Sequence, residues 1–233
     1  MEPTHHDFEA QTSKVLQSRT IKFIEALANL LRPIFRGKWV SRQIQRTTSG
    51  RIGAISGLGE RGRNGEAARR AIELLEGLRD LPSGRLIMSG RDYCWLVTDL
   101  AAQNLAQVQD PVLWNRLIAL ATDGVVPISG YSAASSFLHF ARWKLSAGET
   151  DAARRYIEIA SGADYTWAEP DFLIGWMWLV HGGGDPIEPL ARAIRKDPGI
   201  LARIVDDPVC GRQPHIVHTL QRRAAEPIVN WTP

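Results

Sequence analysis

Residues 137–160 read FLHFARWKLSAGETDAARRYIEIA: a bulky segment, a glycine at position 148, then a segment rich in small residues and cations. Phe137, Phe140 and Ala141 fall at helical spacing before the glycine, and Ala153, Ile157 and Ala160 do so after it. The same plan returns 34 residues later, with Ile174, Gly175 and Trp178 ahead of Gly182, and with Ala193 and Pro198 behind it. Gly148 to Gly182 and Ala141 to Gly175 are both 34-residue steps. A period of this size marks stacked helix pairs, because one pair cannot bury its own apolar face and needs a neighbour. The spacing predicts two consecutive antiparallel pairs over 134–162 and 168–196.

The step and the small/large pattern resemble the tetratricopeptide repeat. Ile174-Gly175, Trp178 and Gly182 match that family's leucine-glycine pair, its following aromatic and its turn glycine. Ala153, Ile157 and Ala160 match its second helix, and Asp197-Pro198 matches its closing pair, one residue early. Lys144 stands where the family has an aromatic, and Tyr165 where it has proline. Short side chains let two helix axes approach, while bulky ones fill the space opposite. The resemblance implies an all-α, right-handed superhelix of stacked antiparallel helix pairs, an α-solenoid that binds a protein or peptide partner without a cofactor.

A further stretch, EAARRAIEL at 66–74, looks like a copy of DAARRYIEI at 151–159, and each follows a glycine and a polar turn. The copies lie 85 residues apart, which is no multiple of 34, so irregular hairpins or one oversized unit must lie between. A helix is predicted over 92–107. Another is predicted over 111–122, with Asp110 as N-cap and Pro111 at the first helical position.

A chain of 233 residues with 44% hydrophobic content can bury a substantial core, and one continuous array suits that length. The nearest thing to a strand, residues 125–128, contains Pro127. No run of eighteen apolar residues occurs, and the start is acidic and His-bearing, so a cytoplasmic protein is expected. Cys94 and Cys210 lack disulfide-framework or CxxC spacing and read as small buried hydrophobes.

The net charge of +3 hides an asymmetry. Residues 11–51 hold nine cations against Glu25 alone, a net of +8, whereas residues 52–233 come to −2. Within the basic segment Leu16, Phe23, Leu27, Leu30 and Ile34 mark one face of an amphipathic helix, which Pro33 should end or kink. Residues 1–50 therefore read as a basic amphipathic segment ahead of a repeat domain over 51–233. The helix is open to three readings: a cap on the repeat stack, a docking helix for an anionic membrane or a partner, or a nucleic-acid contact. Its basic surface would comprise Lys14, Lys22, Arg32, Arg36, Lys38, Arg42 and Arg46.

Sites of chemistry are few. Cys210, His215 and His218 have metal-ligand residue types but lack a fourth ligand and a recurring spacing, so terminal packing is the expectation and no metal is assigned. Residues 57–62 have GxGxxG spacing without a preceding strand, and Gly182-Gly183-Gly184 lacks the downstream lysine of a phosphate loop and reads as a helix turn. No triad or carboxylate pair stands out, so no catalytic residue is assigned and a non-enzymatic protein is expected. Trp178 occupies a core position of the pattern, and Trp176 must point elsewhere around the helix. Trp176, Arg142 and Arg154 are the candidates for a partner-binding groove.

The expected function is a protein-interaction scaffold or adaptor. The alternative is a peripheral adaptor held by its basic segment to a membrane or nucleic acid. Removal of residues 1–46 distinguishes the roles of that segment: an insoluble product marks a cap. A folded product that no longer binds anionic vesicles or RNA in a salt-sensitive assay marks a docking element.

Overall fold

The computed structural model describes residues 38–79, 90–124 and 126–225. Among them are ten helices and no strand: α1 Lys38–Glu60, α2 Asn64–Arg79, α3 Gly90–Leu105, α4 Pro111–Thr122, α5 Tyr131–Ser146, α6 Thr150–Ala163, α7 Glu169–His181, α8 Ile187–Lys196, α9 Gly199–Asp206 and α10 Pro214–Ala225. The protein is all-α, and its helices pack mostly against neighbours in sequence. They form two compact units, α1–α4 within Met1–Val126 and α5–α10 within Pro127–Pro233. The helix expected over 13–35 lies outside the described residues. None of the described helices is long and apolar enough to cross a membrane.

In the first unit, α1 forms against its own composition. Gly50, Gly53, Gly57 and Gly59 weaken its intrinsic helicity, yet it continues through them and across position 50. Burial of Thr48, Ile55 and Leu58, with α2 and α3 packed against it, holds it. Gly59 has a packing reason as well, since a Cβ there would lie 2.5 Å from Asn104 Oδ1 of α3.

The end of α1 and the end of α5 use one device. Gly62 and Gly148 both take positive φ, 74° and 77°, which costs glycine nothing. After α1, the Gly62 amide donates to the Gly59 carbonyl and the Arg63 amide to the Leu58 carbonyl. After α5, Gly148 donates to Leu145 and Glu149 to Lys144, closing the same Schellman turn. Each turn releases the chain into one of the copied helices, where Ala68, Ile72 and Leu75 of α2 are buried as Ala153, Ile157 and Ala160 of α6 are.

At α3 the helix runs Gly90–Leu105 rather than 92–107. Beyond Leu105 the amides of Gln107 and Val108 turn to carbonyls three residues back, which tightens the chain out of the α-helix. α4 matches its expected bounds, and Asp110 Oδ1 accepts from the Val112 and Leu113 amides at 3.1 Å each. Glu76 of α2 takes a bidentate bond from Arg116 of α4, both at 2.7 Å.

In the second unit, α5 buries Phe137, Phe140 and Ala141 against α6, and Tyr156 of α6 closes on both phenylalanine rings at 5.9 and 5.8 Å. α7 lies between α6 and α8 and is apolar around most of its circumference, as a helix with neighbours on several sides must be. Gly175 makes the α7–α8 contact possible: a Cβ there would lie 2.6 Å from Leu190 Cγ and 3.2 Å from the Leu190 amide nitrogen. Asp171 of α7, its side chain only 7% exposed, takes Arg192 Nε at 3.1 Å and Lys196 Nζ at 2.7 Å from α8. Behind α8, Leu190, Ala191, Ala193 and Ile194 share one core with Ile200 and Ile204 of α9, Cys210, and Ile216 and Leu220 of α10. Trp178 is half-buried instead of core. Its ring lies over the glycine turn, where a Cβ on Gly184 would come within 2.6 Å of it.

Two glycine substitutions separate propensity from packing. Gly162→Ala in α6 meets open space and should gain roughly 0.5–1 kcal/mol. Gly175→Ala gains the same propensity but must push Leu190 and its backbone away, and should lose roughly 1–3 kcal/mol net. Thermal unfolding of the two variants should shift the midpoint in opposite directions.

Candidate functional site

Helices α5, α7 and α9 border a groove of about 500 Å³ inside the second unit. Leu145, Phe172, Leu173 and Trp176 give it an apolar lining, and Arg142, Glu169, His181, Arg203 and Asp207 supply its polar groups. Glu169, at the start of α7, joins the two sides. Its Oε1 accepts from Arg142 Nη2 of α5 at 2.5 Å, while Arg203 of α9 donates Nη1 to Oε2 at 2.7 Å and Nη2 to Oε1 at 3.2 Å.

Both arginine side chains stay about half in solvent, at 45% and 50% exposure, whereas that of Glu169 keeps only 13%. Arg203 also lies over the Phe172 ring, 4.5 Å from its centre, so its plane is fixed from two directions. The bonds to Glu169 raise the Arg203 pKa against the opposing effect of partial burial, so the group is a permanent cation.

On the far side, Trp176 packs partly against the α8–α10 core and stands edge-on to His181, ring centres 6.4 Å apart. Asp207 lines the same side of the groove. Burial would raise the Asp207 pKa, but the Cys210 and Val209 amides, both 2.9 Å from Oδ1, together with the Cys210 thiol and the Trp176 indole, hold it below the ordinary value. Burial, then the neighbouring Asp207 charge, pushes the Cys210 thiol up to about 12, so it is an inert proton donor. Cys94 and Cys210 are both buried thiols, as expected of small hydrophobes.

Of the partner-binding residues expected from sequence, the groove brings Trp176 and Arg142 together. Arg154 is elsewhere, paired with Glu158 at 2.9 Å on the exposed face of α6. Glu169, Phe172 and Arg203 were not singled out. Arg203 lies on α9, an eight-residue helix after Pro198 that carries no repeat signal. Trp176 is also more deeply engaged in the fold than a free contact residue would be. Of the basic surface, Lys14, Lys22, Arg32 and Arg36 lie outside the described residues, and Lys38, Arg42 and Arg46 lie on α1 where only the backbone is described. Their four-residue spacing puts the last three on one helix face. Among the described residues no cluster of His, Cys, Asp and Glu has the makings of a metal site. His215 and His218 sit on α10, and Cys210 is buried before it.

What these features define is an all-α protein of sequentially packed helices, with a groove lined by side chains in residues 127–233. Compared with protein-family models, curated proteins and solved structures, the chain has no match. The tetratricopeptide likeness is therefore one of pattern, and no family is assigned.

Arg142 also acts on His139, one turn earlier on α5. Burial, and then the Arg142 charge, lowers the His139 pKa from 6.5 to about 4. Because the folded chain disfavours the protonated ring, this contribution is whole above pH 6.5 and is lost as pH falls from there towards 4. At pH 4 it should cost the wild type roughly 3 kcal/mol relative to pH 7. His139→Gln should lose that much less over the same interval, which urea denaturation at the two pH values measures.

Proposed function

We propose that this protein is a non-enzymatic interaction scaffold or adaptor whose tetratricopeptide-like hairpins in residues 127–233 hold a peptide segment of a partner in the α5/α7/α9 groove. The carrying observation is the arrangement of Arg142 and Arg203: half-exposed cations beside an apolar lining, each already oriented by Glu169. Side chains fixed before binding lose little conformational freedom when a ligand arrives. Tryptophan and arginine around a partly desolvated pocket are also the residue types on which interfaces concentrate their energy. A volume of about 500 Å³ suits a short stretch of chain.

The second reading, a peripheral adaptor held to an anionic membrane or nucleic acid, is favoured by the +8 charge of residues 11–51. The helical register of 38, 42 and 46 on α1 is consistent with it. Because the described part of α1 covers Lys38–Glu60, truncation after residue 37 keeps all of it, which a cut at 46 does not.

Trp176→Ala is a poor probe of the groove. It removes packing against the core, so stability and binding would fall together. Arg142→Ala is better, since only one bond of a half-exposed pair is lost and the stability cost should be within about 1 kcal/mol. Peptides selected from a displayed random library on the wild-type chain should lose roughly tenfold or more in affinity for Arg142→Ala at unchanged melting temperature. Selected peptides that bind both proteins equally would place recognition elsewhere.

A further inference from the structure

The groove's hydrogen-bonding capacity is lopsided. Its carboxylates are engaged unequally: Glu169 accepts three guanidinium bonds on its two oxygens, while Asp207 accepts the Val209 and Cys210 amides on Oδ1. A guanidinium carries more N–H groups than these bonds use, and a carboxylate has little accepting capacity left after three or four. The formal charges of Arg142, Arg203, Glu169 and Asp207 cancel. Yet Glu169, between the two arginines, keeps only 13% exposure, while both arginine side chains stay about half exposed.

An incoming group therefore meets unused donors beside the apolar lining of Phe172, Leu173, Leu145 and Trp176. A cationic ligand beside Glu169 would face two guanidiniums and a carboxylate already bonded to both. A neutral apolar ligand would strip water from the guanidinium edges and offer nothing in return, which is costly.

We infer that the partner segment is acidic. An Asp or Glu of the bound peptide, flanked by apolar residues, docks its carboxylate on the outward edges of Arg142 and Arg203, while Glu169 acts as a resident competitor for the same two cations. This inference depends on the groove being the binding site, as proposed above. It adds the ligand's chemistry and a role for Glu169: that carboxylate sets the two guanidiniums in place and at the same time weakens their attraction for an external anion.

The competition makes an unusual forecast. Neutralising Glu169 should strengthen binding, whereas loss of a residue that merely supports the groove would weaken it. The experiment uses the full chain and three labelled peptides of identical apolar frame. One carries a central Glu-Asp, one the isosteric Gln-Asn and one Lys-Arg, and affinities are read by fluorescence anisotropy at two salt concentrations.

The acidic peptide should bind roughly tenfold or more tighter than its amide isostere, with the gap narrowing at high salt. Glu169→Gln should tighten the acidic peptide severalfold and leave the amide peptide unmoved. Arg142→Gln and Arg203→Gln should each abolish most of the acidic preference, and agreement between the two guards against one variant being misfolded.

Equal binding of all three peptides would overturn the acidic preference and leave the binding groove standing. Unchanged or weaker binding of the acidic peptide by Glu169→Gln would overturn the competitor role. If none of the three peptides is held by the wild type or by any variant, both this inference and the groove's function fail.

Discussion

The close approach of α7 to α8 at Gly175 sets the geometry of residues 127–233. With hydrogen in place of a Cβ, Leu190 sits almost on the α7 backbone, and Ala191 and Ala193 beside it are fully buried. At that separation Asp171 reaches both Arg192 and Lys196 across the interface. The placement of α8 then decides where the two-residue turn at Asp197 and Pro198 launches α9. α9 in turn carries Arg203 over Phe172 and onto Glu169. A missing methyl group on one helix thus positions a cation on another, and the groove is a downstream result of core packing.

Stability and recognition rest on different groups. Burying Leu190, Ile194, Ile200, Ile204, Ile216 and Leu220 contributes on the order of 1.5–3 kcal/mol each, as an upper estimate. The Glu169 pairs involve half-exposed arginines and contribute at most about 1 kcal/mol apiece. Stacking Arg203 on Phe172 adds a similar small amount. The polar cluster therefore fixes direction more than it holds the fold. That division leaves Arg142 and Arg203 available to an incoming group without risk to the core. Trp176 belongs to both sets and is correspondingly harder to alter cleanly.

The legible part of the fold was the part written in local pattern. Glycines at 148 and 182, small residues at 153, 160 and 193, and the aspartate-proline start of α4 each express a steric rule confined to a few neighbouring residues. The α1 helix was not legible, because its four glycines argue against helicity and only tertiary burial outweighs them. Half of the groove was legible. Trp176 and Arg142 stand out through their offset from core positions, and the pairing of Arg142 with Glu169 and Arg203 is a matter of helices meeting in space. Glu169 reads in sequence as an ordinary acid in a first helical turn, favourable to the helix dipole and otherwise unremarked. Arg154 lies outside the groove, because helical spacing says which face a residue occupies and nothing of what lies opposite that face.

The copied segment shows the same limit from another side. α2 and α6 share their alanines, their arginine pair and their buried register, and both begin after a Schellman turn. Yet α6 packs most extensively on the helix before it, and α2 on the helix after it. The difference lies in what the flanking helices offer. α5 presents Phe137, Phe140 and Ala141, all fully buried, to α6. α1 has glycines at four positions and little bulk to offer α2, whereas α3 presents Val97, Ala101, Ala102 and Leu105, none more than 1% exposed. A nine-residue motif therefore specifies a face of small residues able to accept a bulky neighbour, and the chain on either side determines which neighbour fills it. That is why a 34-residue period could be read in residues 137–198 and could not be extended through the first unit: the surface is repeated there, but the partner is not.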